Sequence, residues 1–325
     1  MAMSSETPLV SVICPTYNHE KYIRQTLNGF VIQQCNFPIE VIVHDDASTD
    51  NTATIIREYT AKYPFIRAIL QTENMYSQGL IRWEYLLIQE AKGKYVAVCD
   101  GDDYWIDPLK LQRQVDFLEA NPDYGLVYTK AKCYLQKQNK FKGSTGSDFN
   151  TFEDLLLKNV VPTLTVVVRK NLYAEYFNEV NPYEQKWLLG DWPAWLWFAK
   201  NSKIRYENYV TGVYRVLPGS VSHSDDYEKM YRFSRSGMSV VEYFINRYGI
   251  ESKNTLQDVA LLKTWPIFKL ACLYNKEQLF DEVQVGIGKI KIRYLSLPLL
   301  YMKLVLFCRP MRYLFIIYKK VQGII

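Results

Sequence analysis

Tyr95-Val96-Ala97-Val98-Cys99-Asp100-Gly101-Asp102-Asp103 is a short apolar run that ends abruptly in three carboxylates around one glycine. The run is β-rich and lacks polar alternation, which reads as a strand buried on both faces. Grouped acids at its end are electrostatically costly unless a cation or a ligand neutralises them. A hard divalent ion with oxygen ligands, bridging to a diphosphate, would do so and would stabilise a leaving group. Gly101 allows the backbone to approach a ligand closely. The competing reading is a solvated turn leading into a helix, because Asp107-Pro108 has the form of a helix start.

Upstream, strand and helix patterns alternate. Residues 9–14 form an apolar run ending at Pro15, 20–33 a helix pattern and 39–44 a second apolar run. Residues 52–62 read as a helix with Asp50 or Asn51 as N-cap, 66–70 as a third strand and 80–91 as a helix before the strand at 95–99. This predicts an α/β fold: a mostly parallel, Rossmann-like sheet flanked by helices on both faces. Ligands bind beyond the carboxyl ends of such strands. The polar clusters Thr16-Tyr17-Asn18, Asp45-Asp46 and residues 100–103 all fall there. A carboxylate at 45 or 46 can accept hydrogen bonds from a pyrimidine N–H or a ribose hydroxyl, and Tyr17 can stack on a base. Capping of the helix at 52–62 accounts for Asp50, but not for both Asp45 and Asp46.

Downstream, residues 136–150 turn to Lys, Gln, Gly, Ser and Thr and predict an exposed loop or lid. Residues 163–168 read as a strand, 187–199 as an aromatic helix opened by Gly190-Asp191, and 204–216 as strands. Helical stretches follow at 225–248, 255–274 and 276–287. The expected organisation is a catalytic domain over 8–225, a helical extension over 226–290 and a tail over 291–325. After Glu282 there is no acidic residue, while eight Lys and Arg follow. Removing those eight from 39 basic residues leaves 31 against 34 acidic ones in residues 1–282, so the body is slightly negative and is not expected to bind nucleic acid.

The tail is apolar but broken by Pro298, Lys303, Arg309, Pro310 and Arg312, too short between charges for the roughly 20 residues of a spanning helix. Apolar and aromatic residues with only basic charge suit a helix lying on an anionic membrane surface. A helical hairpin packed on the body, or a dimer interface, is the alternative. The six cysteines are scattered without C-x-x-C spacing, and residues 1–8 lack an apolar signal core. Both suit a reducing cytoplasm, and with the tail they place the chain on the inner face of the membrane.

Val10-Ser11-Val12-Ile13-Cys14-Pro15-Thr16-Tyr17-Asn18, Asp45-Asp46-Ala47-Ser48-Thr49-Asp50 and Asp100-Gly101-Asp102-Asp103, in that order, resemble the motifs of family 2 inverting glycosyltransferases of the GT-A fold. The resemblance implies a donor site in which Pro15, Thr16, Tyr17, Asn18, Asp46, Asn74, Asp100 and Gly101 hold a nucleotide-sugar, most simply a UDP-sugar. It implies that Asp102 ligates Mn²⁺ or Mg²⁺. The family usually carries a glycine soon after the residue matching Asn74; here Met75-Tyr76-Ser77-Gln78 intervene before Gly79.

Inversion by direct displacement needs one general base for the acceptor hydroxyl. The resemblance puts it at Asp191, although Gly190 stands where the family more usually has a second acid. An N-cap role for Asp191 is the plain alternative, and the two are compatible. Trp192, Trp195 and Trp197 either stack on an acceptor sugar or belong to the core. His223, in a Gly/Ser loop, is a candidate third metal ligand or an ordinary loop histidine. Arg215 is a weaker candidate for neutralising diphosphate, and His19 and His44 read as structural. The Gln-x-x-Arg-Trp motif and spanning helices of processive members are absent from the sequence, so transfer of one sugar is expected. The expected acceptor is a glycan on a polyprenyl diphosphate, in capsule, O-antigen or exopolysaccharide assembly. The rivals are a nucleotidyltransferase, for which residues 15–21 lack a Gly-rich phosphate loop, and an inactive membrane-docked scaffold.

Overall fold

The computed structural model describes residues 7–78, 83–220, 222, 224–250, 253–274, 276–288 and 302. The described residues up to Leu217, less 156–158 and 187–189, form one compact unit; those two segments and the described residues from Pro218 form a second.

The first unit is built on a nine-stranded mixed sheet. Strands β1 (Val10–Thr16), β2 (Ile39–Asp45), β3 (Ile66–Leu70) and β4 (Tyr95–Val98) are parallel, in spatial order β3-β2-β1-β4. Helices α1 (Ile23–Val31), α2 (Thr52–Lys62) and α3 (Trp83–Glu90) carry the chain between them. The unbroken apolar runs predicted this half: Val10, Val12, Ile13, Cys14, Val41, Ile42, Val43, Val96 and Ala97 are all fully buried. Each such side chain of Val or Leu size contributes about 1.5–3 kcal/mol on burial.

The remaining strands make the sheet mixed. They are β5 (Tyr104–Trp105), β6 (Tyr124–Leu135), β7 (Lys140–Thr145), β8 (Val167–Arg169) and β9 (Lys203–Val216). β8 runs antiparallel to β4 through Ala97↔Val167, then β6 antiparallel to β8, β9 parallel to β6 and β5 antiparallel to β9. Helices α4 (Lys110–Ala120), α5 (Phe152–Leu157), α6 (Lys170–Val180) and α7 (Asp191–Asn201) complete this half.

Several boundaries differ from the sequence reading. Residues 163–168 divide into a 3₁₀ turn at Thr163–Thr165 and β8. The aromatic helix begins at Asp191 rather than 187, because Trp187 packs in the second unit. Residues 136–150, read as a loop, contain the exposed strand β7, paired to β6 after a left-handed turn at Asn139. Its polar composition hides the strand because it has no buried face to pattern.

In the second unit, α8 (Tyr227–Tyr248), α9 (Lys253–Tyr274) and α10 (Glu277–Gly288) surround Ile267, Phe268, Ala271, Leu279, Phe280 and Val283. Asp226 caps α8 by accepting the Lys229 N–H at 2.8 Å, as the N-cap preference for aspartate dictates. Among the described residues no helix is long and apolar enough to cross a membrane. The tail over 291–325 lies outside them, apart from Met302.

Candidate functional site

Parallel pairing levels the strand ends. The register matches Thr16 with Asp45, and the Asp46 N–H donates to Thr16 O at 3.0 Å. The Gly101 N–H donates to Pro15 O at 2.9 Å. Pro15, Thr16, Asp46 and Gly101 thus share one rim beyond the sheet.

Gly101 is required there for space. A Cβ at this position would lie 2.5 Å from Thr16 Oγ1, 2.6 Å from Thr16 Cβ and 2.9 Å from His19 Nδ1. Thr16 is 4% exposed, and its hydroxyl meets His19 Nδ1 at 3.1 Å, so it builds the floor of the rim. Burial lowers the pKa of His19 although Asp102, Asp50 and Asp45 pull it upward.

Carboxylate oxygens of Asp100, Asp102 and Asp103 lie within 4.8 Å of one another. Burial raises Asp100 to about 7, with the charges of Asp102 and Asp191 adding to it. Asp103 is pushed well above the usual carboxylate range by burial and by its two neighbours, partly offset by Arg215. This mutual repulsion among oxygen donors is what a hard divalent cation relieves, so the set fits Mn²⁺ or Mg²⁺.

The floor beneath the run is a cage around Arg215. Its N–H donates to Asp103 Oδ1 at 2.7 Å, and its Nε donates to Asp102 O at 2.7 Å. Its Nη1 and Nη2 reach Gln136 Oε1 at 3.1 Å and Gln25 Oε1 at 2.7 Å. The guanidinium carbon lies 4.8 Å from the Tyr22 ring centroid, 5.1 Å from Tyr104 and 5.8 Å from Tyr134. Arg215 is therefore a buried clamp in which Nε, Nη1 and Nη2 each bond to the protein. Asp103 ties the run to β9. Thr26 Oγ1 sits 2.6 Å from Asp103 O and 2.9 Å from Gly101 O, sharing one proton between them.

The second acidic end divides its labour. Asp45 closes its own turn, accepting the Ser48 N–H at 3.2 Å and the Ser48 hydroxyl. Asp46, 6% exposed, accepts the Met75 N–H at 2.8 Å and the Tyr76 N–H at 3.1 Å, while Asn74 Nδ2 donates to Asp46 O at 3.2 Å. Asp46 thus anchors the loop carrying Asn74. Asn74 Oδ1 accepts the Ser77 N–H at 2.6 Å, so this side chain is engaged within the loop. Asn18, at φ 54°, donates its N–H to Ser48 Oγ and accepts the Thr49 N–H at Oδ1, both at 2.8 Å, bracing β1 to β2. Tyr17 is 42% exposed. Asp50 rather than Asn51 serves the start of α2, accepting the Thr52 N–H at 2.9 Å.

Asp191 opens α7 just after its N-cap, Gly190. Its Oδ2 accepts from Asn159 Nδ2 at 3.0 Å and from Thr163 Oγ1 at 3.1 Å; Oδ1 accepts the Trp192 N–H at 2.7 Å. Those donors orient the carboxylate, and it stands near enough for its charge to raise Asp100. Trp192, Trp195 and Trp197 are all buried core residues, with 9%, 0% and 1% exposure, so none is a sugar platform.

Glu84, which the sequence reading does not single out, packs its carboxyl against Gly190, the residue before Asp191. Burial, then Asp191, then Asp100 push its carboxyl up to about 8. His223 lies outside the described residues.

The model of glycosyl transferase family 2 matches residues 11–171. An uncharacterised protein of Mycobacterium tuberculosis (strain ATCC 25618 / H37Rv) is 33% identical over 237 residues, 71% of this chain and 66% of that protein, so the chain spans about two thirds of this relative. The Escherichia coli UDP-Glc:alpha-D-GlcNAc-diphosphoundecaprenol beta-1,3-glucosyltransferase WfaP is 30% identical over 217 residues, 66% of this chain and 80% of WfaP. S. aureus TarS 1-349 in complex with UDP-GlcNAc superposes with a TM-score of 0.64 at 21% identity, covering 97% of this chain and 92% of that one. That last likeness is one of fold.

Proposed function

The chain belongs to glycosyl transferase family 2, and on that footing we propose that it transfers one sugar, with inversion, from a UDP-sugar to a lipid-linked glycan. The observation that carries the reading is a single rim uniting Thr16, Asp46 and Gly101 with the clustered Asp100 and Asp102, with Asp191 in electrostatic reach. The exposed Tyr17 is suited to stack on the uracil ring, and Asp46 holds the loop beside it. Asp100 and Asp102 would hold Mn²⁺ or Mg²⁺, which when bound neutralises charge developing on the departing diphosphate.

Asp191 takes the proton of the acceptor hydroxyl as its oxygen bonds to the anomeric carbon and the bond to UDP breaks, the electron pair leaving with the diphosphate. Asn159 and Thr163 aim that carboxylate, and orientation of this kind supplies much of such a rate enhancement. The acceptor named for WfaP, a diphosphoundecaprenol-linked sugar, supports a polyprenyl diphosphate acceptor here and a place in bacterial polysaccharide assembly. The basic, apolar composition of 291–325 supports docking on the inner face of an anionic membrane, with 8–225 as the catalytic domain and 226–290 as a helical extension. The test is a panel of UDP-hexoses assayed for Mn²⁺-dependent UDP release and for transfer to α-D-GlcNAc diphosphoundecaprenol. Release dependent on both metal and acceptor is expected, and no release from any donor would defeat the proposal.

A further inference from the structure

Glu84 lies in the first turn of α3, and its carboxyl packs directly on Gly190. A Cβ at 190 would stand 2.4 Å from Glu84 Oε1 and 3.0 Å from both Cδ and Oε2, so the carboxyl occupies space that only glycine leaves open. The start of the helix is pinned in place. The Tyr85 N–H donates to the Tyr183 hydroxyl at 3.1 Å, and the Tyr85 ring meets Phe177 edge-on at 5.7 Å. Leu87 and Ile88 are buried one turn later. The backbone that carries Glu84 is thus held, yet among the described residues none donates a hydrogen bond to its carboxyl.

A partly buried carboxyl without a donor is unfavourable, and the deficit is removed if a bound molecule supplies the partner. That carboxyl lies against Gly190, directly before the candidate base Asp191, and the charges of Asp191 and Asp100 both raise its pKa. The acceptor hydroxyl must reach that base as it meets the donor's anomeric carbon, so the reacting pyranoses meet beside it. A diphosphate would be repelled by the surrounding acids. A sugar hydroxyl both donates and accepts, so it pairs with a carboxyl in either protonation state.

We infer that Glu84 is a specificity-determining residue whose carboxyl hydrogen-bonds a pyranose hydroxyl beside Asp191. This rests on the transferase reading above. The hydroxyl belongs to the donor hexose or to the acceptor sugar, and the test separates them.

The experiment uses the full chain, with Glu84→Gln, Glu84→Ala and Gly190→Ala beside the wild type. UDP with Mn²⁺ is first titrated by calorimetry; undisturbed UDP affinity shows that the donor end of each variant is folded. Transfer is then measured with UDP-glucose and its 2-, 3-, 4- and 6-deoxy analogues, and with α-D-GlcNAc diphosphoundecaprenol at varied concentration. If the donor is read, wild type loses about tenfold or more in kcat/KM on one analogue, and Glu84→Ala does not discriminate against it. If the acceptor is read, every donor analogue is treated alike and the acceptor KM rises by about tenfold or more in Glu84→Ala. Gly190→Ala, whose new methyl group displaces the carboxyl, follows Glu84→Ala in either case. Variants with wild-type discrimination and wild-type acceptor KM, on a chain that binds UDP, would overturn the inference alone. A wild type that fails to bind UDP overturns the transferase reading and this inference with it.

Discussion

Replacing Gly101 with alanine isolates the close approach on which the rim depends. The added Cβ meets Thr16 Cβ at 2.6 Å and Thr16 Oγ1 at 2.5 Å, and the former is not the end of a flexible side chain. Carbon contacts settle near 3.5–4.0 Å, so about 1 Å must open between β1 and the acidic run. The surroundings resist this, because the Gly101 N–H is bonded to Pro15 O and the Gly101 carbonyl to Thr26 Oγ1. Overpacking of this kind costs roughly 1–3 kcal/mol. The smaller entropy of the unfolded alanine chain offsets up to about 1 kcal/mol. The net cost of up to about 3 kcal/mol, at about 2–4 °C per kcal/mol for a domain of this size, lowers the transition by up to roughly 12 °C. A shift of about 1 Å in groups that position the leaving diphosphate also costs on the order of 10²-fold in rate. Thermal unfolding and Mn²⁺-dependent UDP release are the assays. Gly288→Ala, where a Cβ meets none of the described residues within 4 Å, is the control. If Gly101→Ala melts with that control and keeps the wild-type rate, the rim is not closed as described.

Three other perturbations probe separate parts. Asp191→Asn should retain UDP and Mn²⁺ binding while transfer falls by about 10²–10⁴-fold, the usual contribution of a positioned base; retained transfer removes Asp191 from that role. Arg215→Met leaves the Asp102 carbonyl, Gln25 and Gln136 without their donor and should destabilise the chain by at least about 2 kcal/mol in denaturant unfolding. Arg215→Lys should not restore it, because one ammonium cannot span the three acceptors. Lys110 is fully buried, and burial lowers its pKa to about 7 from the ordinary 10.5. Between those values the unfolded chain binds a proton that the folded chain does not, so stability should rise with pH across this window. Lys110→Met should flatten that rise when unfolding is followed from pH 7 to 10, and an unchanged slope would assign it to other groups.

The site was legible in sequence wherever one segment carried both the strand and its chemistry. Residues 95–103 show an apolar strand and its acids together, and the Asp45-Asp46 pair repeats the pattern, so both strand ends of the rim are visible in the sequence. Which acid turns toward the loop is a matter of backbone direction: Asp45 bends back to Ser48 while Asp46 anchors Met75 and Tyr76. Gly101 was readable as a point of close approach, but what it approaches, the Thr16 side chain, was not. Glu84 escaped notice because glutamate is ordinary in the first turn of a helix. Only folding brings it against Gly190. The cage of Arg215 draws Tyr22, Tyr104 and Tyr134 from three distant segments, none with a spacing that announces it. The antiparallel half of the sheet was hidden for a related reason, since β5 and β8 are too short to show a period.

The proposed function requires that the ends of β1, β2 and β4 form one metal-assisted site for a nucleoside diphosphate. Calorimetric titration of UDP into the wild type and into Asp102→Asn, each with and without Mn²⁺, tests it most directly. Mn²⁺ is expected to strengthen UDP binding at least about tenfold in the wild type, equivalent to about 1.4 kcal/mol, and Asp102→Asn to abolish the metal dependence. UDP binding that is equally tight with and without Mn²⁺ in both proteins would contradict it.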